Sequence, residues 1–142
     1  MAAPTGVKMI TMSQSVARKL VVLWILAVLA GVPARGAADG AALLEASGVT
    51  GGLVVHVGCG DGKLTASLRG GAAYLVQGLD RNPARLAEAR THIATVGLTG
   101  SVSVAQYDGK ALPFVDNLVN LLVISDPDYA VPAGETVRAL AP

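Results

Sequence analysis

Short apolar runs alternate with helix-like stretches along the chain from residue 39 onward. The runs have the length and the β-branched content of buried strands, and the stretches between them place apolar residues at helical spacing. We therefore predict strands over 53–57, 74–79, 102–106 and 118–124, and helices over 41–46, 63–69, 83–96 and 135–140. Residues 108–117, which include Pro113, are predicted to form a loop, and the Ala/Gly-rich stretch 36–42 a linker.

The third predicted helix has the clearest boundaries. Asn82 suits the N-cap, Pro83 suits the first helical position, and Gly97 ends the helix. The predicted apolar face of this helix contains Leu86, Ala89, Ile93 and Val96. Strands that alternate with helices pair in parallel through right-handed crossovers, and their sheet is covered on both faces. The sequence thus predicts an α/β fold, a Rossmann-like doubly wound parallel sheet.

The first predicted strand runs into three glycines spaced two apart, Gly58, Gly60 and Gly62. Because glycine has no Cβ, the backbone there can adopt positive φ and approach a ligand closely. The helix predicted directly after the turn adds N–H groups and the positive end of a dipole. These features indicate a nucleotide-type binding loop. The Gly-x-Gly-x-Gly spacing differs from the Gly-x-Gly-x-x-Gly of dinucleotide-binding domains, which disfavours a nucleotide-binding oxidoreductase.

Asp80 follows the second predicted strand, about twenty residues beyond the glycine turn. An ionised carboxylate can accept hydrogen bonds from both hydroxyls of a ribose, so Asp80 is a candidate ligand for an adenosine-type molecule. The alternative is that Asp80 only places a negative charge at the start of the next helix. We favour the ribose role because the position of Asp80 at a strand end and the glycine turn before it both indicate a nucleotide-type site. Cys59, inside the turn, is interpreted as a small residue in a crowded loop rather than a reactive thiol.

Composition and charge exclude several classes of function. The chain is 52% hydrophobic and 15% charged, which argues against disorder. Residues 39–142 contain seven basic and ten acidic residues, a net charge of −3, and no basic cluster, so we expect no nucleic-acid partner. The single cysteine excludes an internal disulfide, and with two histidines besides, His56 and His92, we expect no metal site.

Residues 1–38 have the pattern of an export signal. Arg18 and Lys19 precede an apolar core, residues 20–30, and small residues follow up to Ala38. The core is shorter than the ~20 residues that span a bilayer comfortably. We predict a cleaved signal peptide and an exported, periplasmic product. An uncleaved membrane anchor, with membrane contact through residues 20–30, is the second choice, and translation from Met9 or Met12 would leave the product in the cytoplasm.

Four motifs in order give residues 51–142 a resemblance to the N-terminal half of class I S-adenosylmethionine-dependent methyltransferases. They are HVGCGDG ending at Gly62, GLD ending at Asp80, YDG ending at Gly109 and LPFVDN ending at Asn117. The final RALAP resembles the helix end that precedes a fifth strand in that family. The motifs also resemble methyltransferase-like modules at the front of secreted planctomycete-type proteins, in which a quinoprotein-like β-propeller often follows. The resemblance implies a partial domain over 39–142, with the sheet truncated after its fourth strand.

The resemblance also implies that S-adenosylmethionine is the cofactor and that residues at the strand ends bind it. The glycine backbone would pass close to the methionine and the ribose, and Asp80 would hold the ribose hydroxyls. Leu79 and Arg81 would flank the adenine, and Asp108 would accept from its amino group. The implied cofactor-binding residues are His56, Gly58, Gly60, Gly62, Asp80, Arg81, Asp108 and Gly109.

His56 departs from the family pattern, in which an acid usually occupies this position. A neutral imidazole can hydrogen-bond, but it is a weaker partner than a carboxylate for the ammonium group of the cofactor. The alternative interpretation of His56 is a partly buried strand residue without a ligand contact.

The resemblance further implies that Ser125 or Asp126, in the segment after the fourth predicted strand, would face the acceptor substrate. This segment, Ser-Asp-Pro-Asp-Tyr ending at Tyr129, resembles the Asp-Pro-Pro-Tyr motif of amino-group methyltransferases, but Asp128 replaces the second proline. We interpret it as an acidic turn that closes the strand. No residue can be assigned as the general base, and His92 is predicted to be a surface residue on the third helix.

Two functions remain as hypotheses. The first is a methyltransferase that uses S-adenosylmethionine and acts on an unknown acceptor. The alternative is a non-catalytic exported module that serves as a binding or scaffold unit of a larger secreted protein. The predicted export signal bears on this choice, because S-adenosylmethionine is kept in the cytoplasm and an exported enzyme would lack it.

Overall fold

The computed structural model describes residues 39–142, so the predicted signal segment lies outside the described residues. The elements are α1 Gly40–Ser47, β1 Gly52–Val57, α2 Lys63–Ser67, β2 Tyr74–Asp80, α3 Pro83–Thr95, β3 Val102–Gln106, β4 Val119–Ile124 and α4 Ala133–Ala139. Every predicted strand and helix is present, with ends within two residues of the prediction. The linker prediction is wrong for residues 40–42, which belong to α1. None of the helices in residues 39–142 is long and apolar enough to cross a membrane.

The four strands form one parallel sheet in the order β3-β2-β1-β4. The chain therefore adds strands on one side of β1 and then crosses to its other side for β4. In open α/β sheets this reversal opens a crevice beyond the carboxyl ends of the two strands that flank it, which is where ligands bind. The sheet and its flanking helices confirm the predicted Rossmann-like α/β fold.

The core lies on both faces of the sheet, because alternate residues of β1 point to opposite sides. Val54 packs with residues of α1 and α3 on one face, and Val55 packs with residues of α4 on the other. Three of the four residues predicted for the apolar face of α3 are buried, namely Leu86, Ala89 and Ile93. Val96 is the exception at 46% exposed, because it lies at the C-cap, where the helix has already ended.

Asn120, the polar residue of β4, occupies an irregularity in the pairing of β1 with β4. Leu53 pairs with Val119 and Val54 with Leu121, so Asn120 is the extra residue in the register. The Leu53 amide donates instead to Oδ1 of Asn120 (2.9 Å). The side chain thus replaces a ladder hydrogen bond that the bulge removes.

Arg138 of α4 fastens the loop that precedes β4. Its guanidinium donates to Glu135 Oε2 (2.8 Å) and Asp116 Oδ1 (2.7 Å), and to the carbonyls of Leu112 (3.1 Å) and Phe114 (2.8 Å). The chain after α4 then begins to pair with β4, through a parallel bridge between Leu140 and Val119. The arginine of the RALAP motif is therefore a structural clamp.

Candidate functional site

The glycine turn has the backbone conformation that the sequence predicts. Gly58, Gly60 and Gly62 have φ of +82°, +54° and +81°. At Gly62 an added Cβ would lie 2.8 Å from the Cβ of Ala89, so this glycine permits close packing of α3. At Gly60 an added Cβ would meet no described atom within 4 Å. The open space of the turn is therefore at its tip, beside Gly60.

The helix after the turn is shorter than predicted, because α2 has five residues and ends at Ser67. The predicted start of the helix at Lys63 is confirmed, and the contribution of its N–H groups and dipole to a ligand stays a prediction. The amides of the turn itself are the donors nearest to the strand ends. Gly58 and Cys59 direct theirs to the Leu79 carbonyl, at 2.8 and 3.2 Å.

Asp80 and the tip of the turn form one site. The Gly60 amide donates to Oδ2 of Asp80 at 3.0 Å, and the Asp80 side chain is fully buried. Oδ1 accepts from the Asn82 amide (2.8 Å) and from the Tyr129 hydroxyl (2.6 Å). Asn82 is the N-cap of α3, so the carboxylate also places a negative charge at the start of this helix, which is the alternative role stated above. Two segments twenty residues apart in the chain therefore converge on one carboxylate.

These hydrogen bonds keep the Asp80 carboxylate ionised. Burial by itself would raise its pKa, since a low-dielectric environment disfavours the charged form. The hydrogen bonds from Tyr129, Asn82 and Gly60, in that order, outweigh the burial, and the pKa of Asp80 lies below its ordinary value. A buried carboxylate that stays charged is a strong acceptor for hydroxyl donors.

Tyr129 brings a third segment to the site, from beyond β4. Its hydroxyl donates to Asp80 and accepts from the Arg81 amide (3.1 Å), and the Arg81 guanidinium lies 4.8 Å from the centre of its ring. The same guanidinium fills the space beside Gly109, where an added Cβ would clash with it. Sequence reasoning missed this role of Tyr129 and took its segment for an acidic turn. The aromatic position in the resemblance to Asp-Pro-Pro-Tyr was the available signal.

His56 is buried in β1 at 1% exposed and has both ring nitrogens engaged. Nδ1 lies 2.8 Å from the Thr65 hydroxyl and Nε2 lies 2.7 Å from the Ser125 hydroxyl, which itself donates to the Gly58 carbonyl (3.0 Å). Both ring nitrogens are thus held by hydroxyl groups, and each hydroxyl can donate or accept according to the tautomer of the ring. Burial lowers the pKa of His56 to about 4, although the nearby Asp80 opposes this shift. His56 is therefore a neutral imidazole whose hydrogen bonds join β1 to α2 and to the end of β4.

Two further residues named in the sequence analysis, Asp126 and Asp108, make different contacts. Asp126 packs against Gly58, where an added Cβ would lie 2.8 Å from the Asp126 Cβ, and its carboxylate is 3.9 Å from Arg85. Asp108 is exposed, and its carboxylate accepts from the Lys110 amide (2.9 Å). Asp108 therefore has no direct hydrogen bond to Asp80, Arg81 or Gly60 within the described residues.

Cys59 is 3% exposed and lies behind the turn. Its Cβ is 2.9 Å from the position that a Cβ on Gly78 would take, so the two small residues allow close packing. Burial, followed by the effect of the Asp80 charge, raises the pKa of the Cys59 thiol to about 12. The thiol is protonated at neutral pH and is a poor nucleophile, as the interpretation of a small packing residue predicts.

A sequence profile of the family described as "Methyltransferase domain" matches residues 54–142, well over half of the chain. A comparison with curated protein sequences gave no significant match.

Solved structures of similar fold include a proposed S-adenosyl-L-methionine-dependent methyltransferase from Methanococcus maripaludis, with TM-score 0.64, 22% identity and coverage of 72% of this chain and 49% of that one. A SAM-dependent methyltransferase from Aquifex aeolicus has TM-score 0.60 and 21% identity, with 73% and 59% coverage. The cyclase SpnF has TM-score 0.61 and 25% identity, with 72% and 40% coverage. The chain thus spans about half the length of the structures that it matches. The cyclase illustrates that one fold carries different chemistry.

Proposed function

Because this chain belongs to the methyltransferase domain family, we propose that its glycine turn and Asp80 bind S-adenosylmethionine for transfer of its methyl group. The observation that carries this proposal is the 3.0 Å hydrogen bond between the Gly60 amide and Asp80 Oδ2. It joins the tip of the turn, where Gly60 has no side chain, to an ionised carboxylate, the two features that an adenosine ligand needs at a strand end. The open space beside Gly60 is consistent with a ligand that lies along the backbone.

The residues present fit the adenosine half of the cofactor better than its amino-acid half. Asp80 carries acceptor oxygens for ribose hydroxyls, and the next residue, Arg81, packs its guanidinium against Gly109 on the side proposed for the base. His56 has both nitrogens engaged by hydroxyls, so it offers the ammonium group no acceptor. S-adenosylmethionine, when bound, supplies a methyl group that its positive sulfur makes electrophilic. The contribution of this chain to such a transfer is then mainly to position the cofactor.

Calorimetric titration of the full-length chain with S-adenosylmethionine tests the proposal. We expect binding that is lost in Asp80→Ala and kept in Glu88→Gln, which removes an exposed acid of α3 as a matched control. Circular dichroism of both variants establishes that each is folded. Binding that survives loss of the Asp80 carboxylate would contradict the assigned site.

The second candidate function, a non-catalytic module for binding or scaffolding, is favoured by one observation. Asp80 is fully buried, and Tyr129 occupies one of its oxygens. In Tyr129→Phe this oxygen no longer accepts a hydrogen bond from the tyrosine. If neither the wild-type chain nor Tyr129→Phe binds S-adenosylmethionine, the non-catalytic module is the better description.

We also propose that the domain is exported after cleavage near Ala38 or, failing cleavage, anchored through residues 20–30. The basic and apolar pattern of residues 18–30 supports this proposal. An exported product would favour the module, and a cytoplasmic product would favour the enzyme.

A further inference from the structure

The acceptor capacity of Asp80 is almost fully used by groups of the protein itself. An ionised carboxylate offers about four acceptor positions. Within the described residues, the Gly60 amide takes one on Oδ2, and the Asn82 amide and the Tyr129 hydroxyl take two on Oδ1. One position remains, whereas the two neighbouring hydroxyls of a ribose need two.

The three donors on Asp80 differ in how easily they can leave. Gly60 and Asn82 donate from backbone that the turn and the start of α3 hold in place. Tyr129 donates from a side chain in the segment 125–129. The Ser125 amide ties the start of this segment to the Val57 carbonyl (3.2 Å), and the Tyr129 amide donates within the segment to the Asp126 carbonyl (3.1 Å). Tyr129 is thus the one side-chain donor of the three, and its release provides the second acceptor position without breaking a backbone hydrogen bond of the turn or of α3. Its ring is 6% exposed and packs with Val57 and Leu79, so this packing must shift when the hydroxyl leaves.

We propose that Tyr129 is an internal competitor of the adenosine ligand: its hydroxyl occupies the acceptor on Asp80 that a ribose hydroxyl would take. This inference rests on the proposed function. The contact is short at 2.6 Å, as expected for a hydroxyl on a carboxylate, and the Arg81 amide and guanidinium hold the same tyrosine from a second side. A ribose hydroxyl on Oδ1 must displace the Tyr129 hydroxyl, so the form in which Tyr129 contacts Asp80 lowers the apparent affinity for the ligand.

Displacement of Tyr129 also links the ligand site to the end of β4. Ser125 begins the same segment, and its hydroxyl bridges His56 and the Gly58 carbonyl. Asp126 packs on Gly58 directly beside it. A ligand that frees Tyr129 therefore changes the position of the residues that would face an acceptor, which couples occupancy of the two sides of the crevice.

Adenosine and 2′,3′-dideoxyadenosine, which lacks both ribose hydroxyls, distinguish this competition from a general effect on the site. Full-length wild type, Tyr129→Phe and Tyr107→Phe are titrated with each nucleoside and with S-adenosylmethionine. Tyr107 is the matched control, because it is also buried and its hydroxyl has no hydrogen-bond partner within the described residues. Circular dichroism establishes that all three proteins are folded.

We expect Tyr129→Phe to bind adenosine and S-adenosylmethionine at least about tenfold more tightly than wild type, since it removes a competing hydrogen bond to a charged group. The gain should be absent for the dideoxynucleoside and in Tyr107→Phe. Equal or weaker binding of adenosine by Tyr129→Phe would overturn the competition. Failure of all three proteins to bind any of the ligands would instead overturn the proposed function, and the competition with it.

Hydrogen exchange gives a second readout that does not depend on a substitution. Ligands normally slow amide exchange near their site. Here, saturating S-adenosylmethionine should speed exchange of the peptide that covers residues 125–131, because the segment leaves Asp80 and the Arg81 amide. Slower or unchanged exchange in that peptide, measured with bound ligand, would overturn the proposal.

Discussion

The buried imidazole of His56 should make the stability of this domain depend on pH above the range in which carboxylates titrate. The pKa of His56 falls from 6.5 to about 4 in the folded protein because the ring is buried. Between these values the unfolded chain binds a proton that the folded protein does not. The stability contributed by neutral His56 is therefore fully present above the ordinary pKa of 6.5, and it is lost as the pH falls from there toward 4.

The size of the effect follows from the two pKa values. A difference of one in pKa corresponds to about 1.4 kcal/mol, so the whole change amounts to about 3 kcal/mol in the free energy of unfolding. Most of it, about 2 kcal/mol, should be lost between pH ~7 and pH ~5. Urea unfolding followed by circular dichroism at these two pH values measures the loss, and it should be largely absent in His56→Gln.

His92→Gln is the matched control, because it removes the other histidine and leaves the buried network intact. Proton NMR of that variant isolates the imidazole of His56 and follows its protonation directly. A midpoint near pH 6 or higher, or an undiminished pH dependence of unfolding in His56→Gln, would refute the assignment of a buried neutral ring.

Three further predictions concern the turn, the clamp and the N-terminal segment. Gly62→Ala should destabilise the domain by about 2 kcal/mol more than Gly60→Ala, since both residues have positive φ but only the first would press on Ala89; equal urea midpoints would contradict this. Arg138→Lys should lower the thermal midpoint and speed amide exchange over residues 112–117, because an ammonium cannot replace the guanidinium fork; unchanged exchange would argue against a clamp. Mass spectrometry of the mature protein should find a new N-terminus near Ala38, and an intact one on soluble protein would exclude cleavage.

Local features of the site could be predicted from the sequence, because they depend on residues close in the chain. The positive φ of Gly58, Gly60 and Gly62 follows from their spacing at a strand end, and the start of α3 follows from Asn82 and Pro83. The position of Asp80 relative to the turn follows from the pairing of two successive parallel strands. The first two inferences need no knowledge of the order of strands in the sheet, and the third needs only that β1 and β2 are neighbours.

The contacts that close the site could not be predicted, because they depend on that order. Tyr129 reaches Asp80 across 49 residues, and Ser125 reaches His56 across 69. Both contacts exist because β4 lies beside β1, whereas alternation of strands and helices alone does not say on which side of the sheet a later strand is added. The same limit applies to His56, whose hydroxyl partners come from α2 and from the end of β4.

A crystal structure of the full-length chain with bound S-adenosylhomocysteine would test most directly whether the glycine turn and Asp80 form the adenosine site. We predict that both ribose hydroxyls hydrogen-bond to the Asp80 carboxylate, that the Gly60 amide keeps its contact with Oδ2, and that the Tyr129 hydroxyl has left Oδ1. A ligand bound elsewhere, with the 2.6 Å contact between Tyr129 and Asp80 intact, would contradict the account.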